Sequence, residues 1–226
     1  MPISSFLAPS AIAKPGVCTS STRPASPYEG QVIYETDTDK TLVWNGSAWV
    51  FLSTSTANPV GLEYITGGTV TAAASASVNN CFSATYNNYR LIVHEVTRSN
   101  AGAAMLLRFR AGGADNSAAN YNYASRGLYS TGGSGDYSGN NQTEFNTGTY
   151  SDTANTYLEG FTYDIFSPFV SGRTYMLGQS FGYNTASLFR QGGMTQYGTN
   201  SFDGFTLYTA VGTQSFKYQV YGYRIA

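Results

Sequence analysis

The sequence predicts an all-β chain in three parts: an extended N-terminal arm, a small three-stranded β-meander and a β-sandwich. Three observations carry that expectation. Charged residues make up 11% of the 226, against about 25% in an average soluble domain. Hydrophobic residues reach 42% and aromatic ones 15%, enough for a core, while 25 glycines break the chain into short runs. Those runs alternate apolar and polar residues, the period of a half-buried strand, and no long stretch carries the helical period.

The arm is residues 1–27, which hold Pro2, Pro9, Pro15, Pro24 and Pro27. Proline removes a backbone donor and fixes φ, so this stretch reads as extended and coreless. Its apolar residues Ile3, Phe6, Leu7 and Ile12 are candidate anchors, because an arm of this kind becomes ordered by lying on a partner.

The meander is residues 28–52. Strands are expected at 31–35, 41–44 and 48–52. Asp37-Thr38-Asp39-Lys40 reads as the first turn, since Asp side chains cap turns locally. It also lacks the glycine and distal glutamate of a calcium loop. Asn45-Gly46 is a hairpin signal, as both residues tolerate positive φ. Some 25 residues make too small a core to stand alone. Trp44 and Trp49 are therefore expected to pack against another subunit or the next domain.

The residues of this region also carry a resemblance. Arg23-Pro24, Glu29-Gly30-Gln31-Val32-Ile33-Tyr34, Thr36-Asp37-Thr38 and Val43-Trp44-Asn45-Gly46-Ser47-Ala48-Trp49 resemble a short module that recurs in virion proteins of tailed bacteriophages. The likeness spans residues 23–50. It implies a tail fibre, head fibre or capsid decoration protein in which the module lies between an attachment arm and a distal domain. It also implies a homotrimer, contacts with other virion proteins and a place on the virion surface.

Residues 53–61 read as a linker, and 62–226 as the main domain. Strands are expected near 63–71, 77–85, 88–97, 104–110, 123–129, 143–149, 156–166, 172–182, 187–195, 203–211 and 215–225. Met105, Leu107 and Phe109 alternate with Arg108 and Arg110, and Phe205, Leu207, Thr209 and Val211 alternate with Thr206, Tyr208 and Ala210. Leu91-Ile92-Val93 reads as a central strand covered on both faces. The only helix candidate is 71–76. The last two strands are expected to close a hairpin across Gly212. Many short strands with polar connections suit a sandwich, and the ending resembles the last strands of phage jelly-roll domains.

Catalytic chemistry is poorly represented. His94 is the only histidine and lies in an apolar strand. Gly178-Gln179-Ser180-Phe181-Gly182 has the spelling of a nucleophile elbow, but no helical pattern and no histidine follow it. Cys18 and Cys81 fit no metal or redox spacing and read as unpaired thiols. Gly132–Gly139 lacks the phosphate-loop lysine and reads as a flexible loop. Asp136, Glu144, Asp152, Glu159 and Asp164 are the carboxylates a glycosidase would draw on, and no pair among them stands out. No catalytic residue, metal site or cofactor is expected. A net charge of −1 disfavours nucleic acid as a partner. No apolar run approaches the ~18 residues of a membrane span, and the N-terminus lacks a basic secretory signal, so synthesis in a host cytoplasm is expected.

Residues 111–157 are expected to bind. Tyrosine gives amphipathic area at low entropic cost, and Asn and Ser give adaptable hydrogen bonds. Tyr121, Tyr123, Arg126, Tyr129, Asp136 and Tyr137 are the candidates, with a host surface glycan as the ligand. The leading expectation is thus a non-enzymatic, trimeric virion appendage. The alternatives are a capsid decoration protein, a polysaccharide-degrading enzyme and a free lectin.

Overall fold

The computed structural model describes residues 15–52, 61–100, 102–150, 159–184 and 186–224. The expected anchors Ile3, Phe6, Leu7 and Ile12, and linker residues 53–60, lie outside them. The chain divides into two units, Met1–Asn58 and Pro59–Ala226.

The first unit holds the expected three-stranded meander with one further strand beside it, in the order β1 (Gly16–Cys18), β2 (Val32–Glu35), β3 (Lys40–Trp44), β4 (Trp49–Phe51). The extra strand comes from the stretch expected to be an extended arm. Residues 16–18 carry no proline, so their donors are free to pair, and β1 runs parallel to β2. A parallel pair needs a connection of about a dozen residues, which 19–31 supply. Ser20 closes the unit by donating from its backbone N and hydroxyl to Asp37, at 2.9 and 2.5 Å. Asp37 thus belongs to the β2–β3 turn. At the β3–β4 turn, the Asn45 side chain accepts from the Ser47 and Ala48 amides at 3.0 and 2.8 Å, while Gly46 sits at φ +94. Trp44 and Trp49 are directly opposite each other and meet edge to face, ring centroids 5.6 Å apart.

The second unit is a sandwich of two sheets. Its strands are β5 (Gly61–Ala73), β6 (Ser75–Val78), β7 (Asn88–Arg98), β8 (Ala104–Ala111), β9 (Ala114–Asp115), β10 (Tyr121–Tyr129), β11 (Ser134–Gln142), β12 (Phe145–Tyr150), β13 (Glu159–Phe166), β14 (Thr174–Asn184), β15 (Ala186–Gln196), β16 (Gly204–Thr209) and β17 (Gln214–Arg224). One sheet runs β11-β10-β15-β14-β13-β7-β17-β5, and the other β12-β8-β16-β6 with β9 beside β8. All pairings are antiparallel. The first strand pairs with the last and the second with the next to last, so the chain is nested from both ends. The eight strands β5-β17-β7-β13 and β6-β16-β8-β12 form a jelly roll. Two hairpins are inserted into it: β10–β11 between β8 and β12, and β14–β15 between β13 and β16. Both widen the same sheet.

The core lies between the sheets. Leu91, Val93, Met105, Leu107, Phe109, Phe161, Ile165, Phe205, Leu207 and Val220 are buried in it, with Phe82 and Phe202 from connections. Phe109 stacks on Phe202 at 5.0 Å and meets Phe145 edge-on at 5.8 Å. Such rings contribute beyond their buried area. In β7 the buried residues are 89, 91 and 93, then 96 and 98. Glu95, at φ +54, is the bulge that shifts the phase, and the registers of β13 and β17 shift beside it.

Several expectations are corrected here. β16 and β17 are not a hairpin, because each belongs to a different sheet. Val211 lies past the end of β16 and is exposed. Ile92 is only half-buried, since β7 is covered on one face alone. The helix candidate 71–76 is the end of β5 and the start of β6. The strand expected at 77–85 stops at Val78, and the glycine-rich loop 132–139 is largely strand β11.

Candidate functional site

The inserted hairpins broaden one sheet well beyond its partner, and the face turned away from the core carries the candidate site. On β14, Met176 and Ser180 are buried while Tyr175, Leu177, Gln179 and Phe181 are exposed. Antiparallel register then sets the neighbours of each. Phe181 lies opposite Phe189 of β15, which lies opposite Leu128 of β10. Two residues along, on the same face, Gln179 faces Gln191, which faces Arg126, which faces Asp136 of β11. Beyond them Leu177 faces Gly193, which faces Ala124. An apolar row, a polar row and a mixed row thus run side by side across the strands.

The apolar residues are well out in solvent: Leu128 60%, Phe189 62%, Phe181 45% and Leu177 56%. Two glycines let large side chains lie down on the sheet. A Cβ at residue 160 would fall 2.7 Å from the Phe181 ring, and one at residue 193 would fall 2.9 Å from Leu177. The central depression is about 1010 Å³. It adjoins one of about 440 Å³, with which it shares Arg126 and Gln191. On the other side it adjoins one of about 380 Å³, with which it shares Leu177, Gly178 and Gln179. Together they form a trough crossing six strands, from β11 to β7.

Charges along this face are matched. Arg90 grips Asp164 through two hydrogen bonds of 2.8 Å, and Tyr223 donates to the same carboxylate at 2.6 Å. Burial acts to raise the Asp164 carboxyl, but these bonds outweigh it and hold it below the ordinary carboxylate value. At the other end Arg126 stands 3.8 Å from Asp136.

The residues expected to bind divide by strand face. Arg126 and Asp136 lie on the open face. Tyr121 does not reach that face: it is fully buried in the core, its hydroxyl donating to the Asn116 carbonyl at 2.8 Å. Tyr123 lies across Gly139 and stacks on Tyr137 at 5.6 Å. Burial pushes its hydroxyl up to about 12. The Tyr137 hydroxyl accepts from Asn146 at 2.8 Å, and the Arg190 guanidinium lies over the same ring at 5.2 Å. Tyr129 is half-buried, with Gly133 and Gly135 against its ring. The reason is the two-residue period of a strand. Residues 121, 123 and 129 of β10 share one side, so residue 126 must share the other. The sequence predicts a strand near 123–129 without showing which face its side chains take, and predicts a loop at 132–139, where no such rule applies. Tyr175, Leu177, Gln179, Phe181, Phe189 and Gln191 were missed. Their strands carry apolar residues on both faces, so the alternation that marks a buried side was not visible.

The remaining chemistry-bearing groups are engaged elsewhere. Ser180 is buried within β14, and its hydroxyl donates to the Gly148 carbonyl at 3.3 Å. His94 lies 3.4 Å from Glu95, which also meets Lys217 at 2.7 Å. Arg98 donates to Glu159 and to Thr149, both at 2.6 Å, and all three are buried. Arg108 donates to Glu144 at 3.0 Å. Asp152 lies outside the described residues. Cys18 and Cys81 are free thiols, and burial pushes Cys81 up to about 12. Among the described residues no cluster of His, Cys, Asp and Glu could hold a metal ion, and no helix is long and apolar enough to cross a membrane.

No protein-family model, curated protein or solved structure matches the chain.

Proposed function

We propose that the chain is a non-enzymatic structural protein of a bacteriophage virion surface. In this reading it is a homotrimeric, fibre-like appendage, attached through its N-terminal arm to other virion proteins. Its jelly roll meets its surroundings through the open face of the eight-stranded sheet.

The observation that supports this most is the exposed apolar row of Leu128, Phe189 and Phe181, with exposed Leu177 on the far side of the neighbouring polar row. Soluble proteins seldom leave large apolar side chains together in solvent unless the patch meets a partner. The carboxylates at 144, 159 and 164 each engage an arginine, an arrangement suited to holding strands together. The likeness of residues 23–50 to the phage module supports the virion assignment.

Removal of residues 1–14 tests the attachment. Because β1 begins at Gly16, the cut spares the first sheet. The shortened chain is expected to fold and to sediment as the full chain does, yet to be missing from particles. Normal incorporation would contradict the proposal.

A second reading, a capsid decoration protein, is favoured by one observation. The apolar patch runs along the sheet, and Tyr121 turns into the core rather than to a loop tip. A footprint along a sheet suits a protein lying on a shell.

A further inference from the structure

The trough on the open face has a composition that narrows its ligand. This step rests on the reading of that face as the contact surface. The trough crosses β11, β10, β15, β14, β13 and β7. Strands lie ~4.8 Å apart, so it spans about 24 Å, long enough for a chain of several sugar rings.

Along its middle, residues opposite one another in register are Asp136, Arg126, Gln191, Gln179 and Thr162. Arg126, Gln179 and Gln191 are exposed. Among the described residues the two glutamine side-chain amides make no hydrogen bond to another protein group. An amide both donates and accepts, which suits hydroxyl groups, themselves donors and acceptors. Leu128, Phe189 and Phe181 flank this polar row on one side, and Leu177 flanks it on the other. Phe181 is held down against Gly160. A ligand with apolar ring faces and a polar rim satisfies rows of both kinds at once.

Two features exclude other ligands. Arg126 is matched by Asp136 and Arg90 by Asp164, and Arg190, which also borders the depression, is buried and lays its guanidinium over Tyr137, so the open trough presents little unmatched charge to a polyanion. β10, β15, β14, β13 and β7 are each paired on both sides. An extended peptide would therefore find no backbone edge along the floor, the usual source of its affinity for a sheet.

We infer that this trough binds an uncharged polysaccharide strand laid across the sheet. The sugar rings stack on Phe181 and Phe189, and their hydroxyls pair with Gln179 and Gln191.

Affinity gel electrophoresis of the full chain tests this. The gels contain dextran, galactomannan, hydroxyethyl cellulose or xyloglucan as neutral probes, and alginate as the anionic one. At least one neutral gel is expected to retard the chain, with retardation unchanged between about 0.02 and 0.5 M salt, since no ion pair with ligand is screened. Phe181→Ala with Phe189→Ala, and separately Gln179→Ala with Gln191→Ala, should each weaken binding about tenfold or more. Val211→Ala, exposed but off this face, should change nothing. All substituted positions are exposed, and thermal unfolding is read alongside to establish that each variant is folded. Three results would overturn the inference. One is no retardation in any neutral gel. Another is retardation by alginate alone, abolished by salt. The third is a phenylalanine double variant that still binds but has lower mass by light scattering, which would give the face to a second copy of the chain. Incorporation of the chain lacking residues 1–14 into particles is independent of these gels, so failure here leaves the virion assignment standing or falling by itself.

Discussion

Tyr121 and Arg126 sit five residues apart on one strand and have opposite fates. Tyr121 packs its ring edge-on against Phe145 at 4.7 Å, accepts from the Phe109 amide at 3.2 Å and donates to the Asn116 carbonyl. Arg126 stands in solvent on the other face. Tyr121→Phe is therefore expected to cost about 1–2 kcal/mol of stability, from leaving a buried amide and a half-buried carbonyl without their hydroxyl partner. Denaturant unfolding measures it, and adhesion should be unaffected. An unchanged midpoint with lost adhesion would place this side chain at the ligand instead. At this scale the sequence was legible where one face is purely apolar. Met105, Leu107 and Phe109 turned inward and Arg108 and Arg110 outward, as their alternation indicated. It was illegible where both faces are apolar. Tyr175, Met176, Leu177 and Phe181 give no phase, and only the register with β13 and β15 shows that Met176 is the buried one.

At the scale of elements, the first sheet has its own pH response. Glu35 is fully buried, and hydrogen bonds from Arg23 and Thr38 hold its carboxyl below the ordinary value. Asp37 is lowered in the same way by Ser20. A carboxylate lowered on folding favours the folded form above its unfolded value of ~4 and ceases to do so as pH falls through its folded value. Residues 15–52 are thus expected to loosen as pH drops below about 4. The chain's two tryptophans, Trp44 and Trp49, both lie in this sheet, so their emission reports it alone. A red shift on acidification is expected, and Arg23→Met should move its midpoint to higher pH. Emission unchanged from neutral pH to about 3 would contradict the role of Glu35. The elements most easily missed are those held by pairing rather than by composition. β11, Ser-Gly-Asp-Tyr-Ser-Gly-Asn-Asn-Gln, has almost no apolar residue, yet β10 provides a full row of partners. Its polarity suits an edge strand, where apolar residues would invite aggregation. β1 was hidden in the same way, since three residues between prolines carry no periodicity.

At the scale of the whole molecule, the sandwich class could be read from strand density and polar turns. The nesting of β5 with β17 and β6 with β16 could not, because pairing across most of the domain leaves no local mark. Nor could the sequence show that both inserted hairpins widen the same sheet, which is what creates the open face. That face is the centre of the proposal, that of a non-enzymatic surface protein whose work is contact. Immunogold labelling of intact phage particles with an antibody to residues 62–226 tests it most directly. Gold on the particle surface is the predicted result, at the tail for a fibre and over the head for a head fibre or decoration protein. Particles that carry the chain in their proteome yet bind no gold, or purified particles that lack the chain altogether, would contradict it.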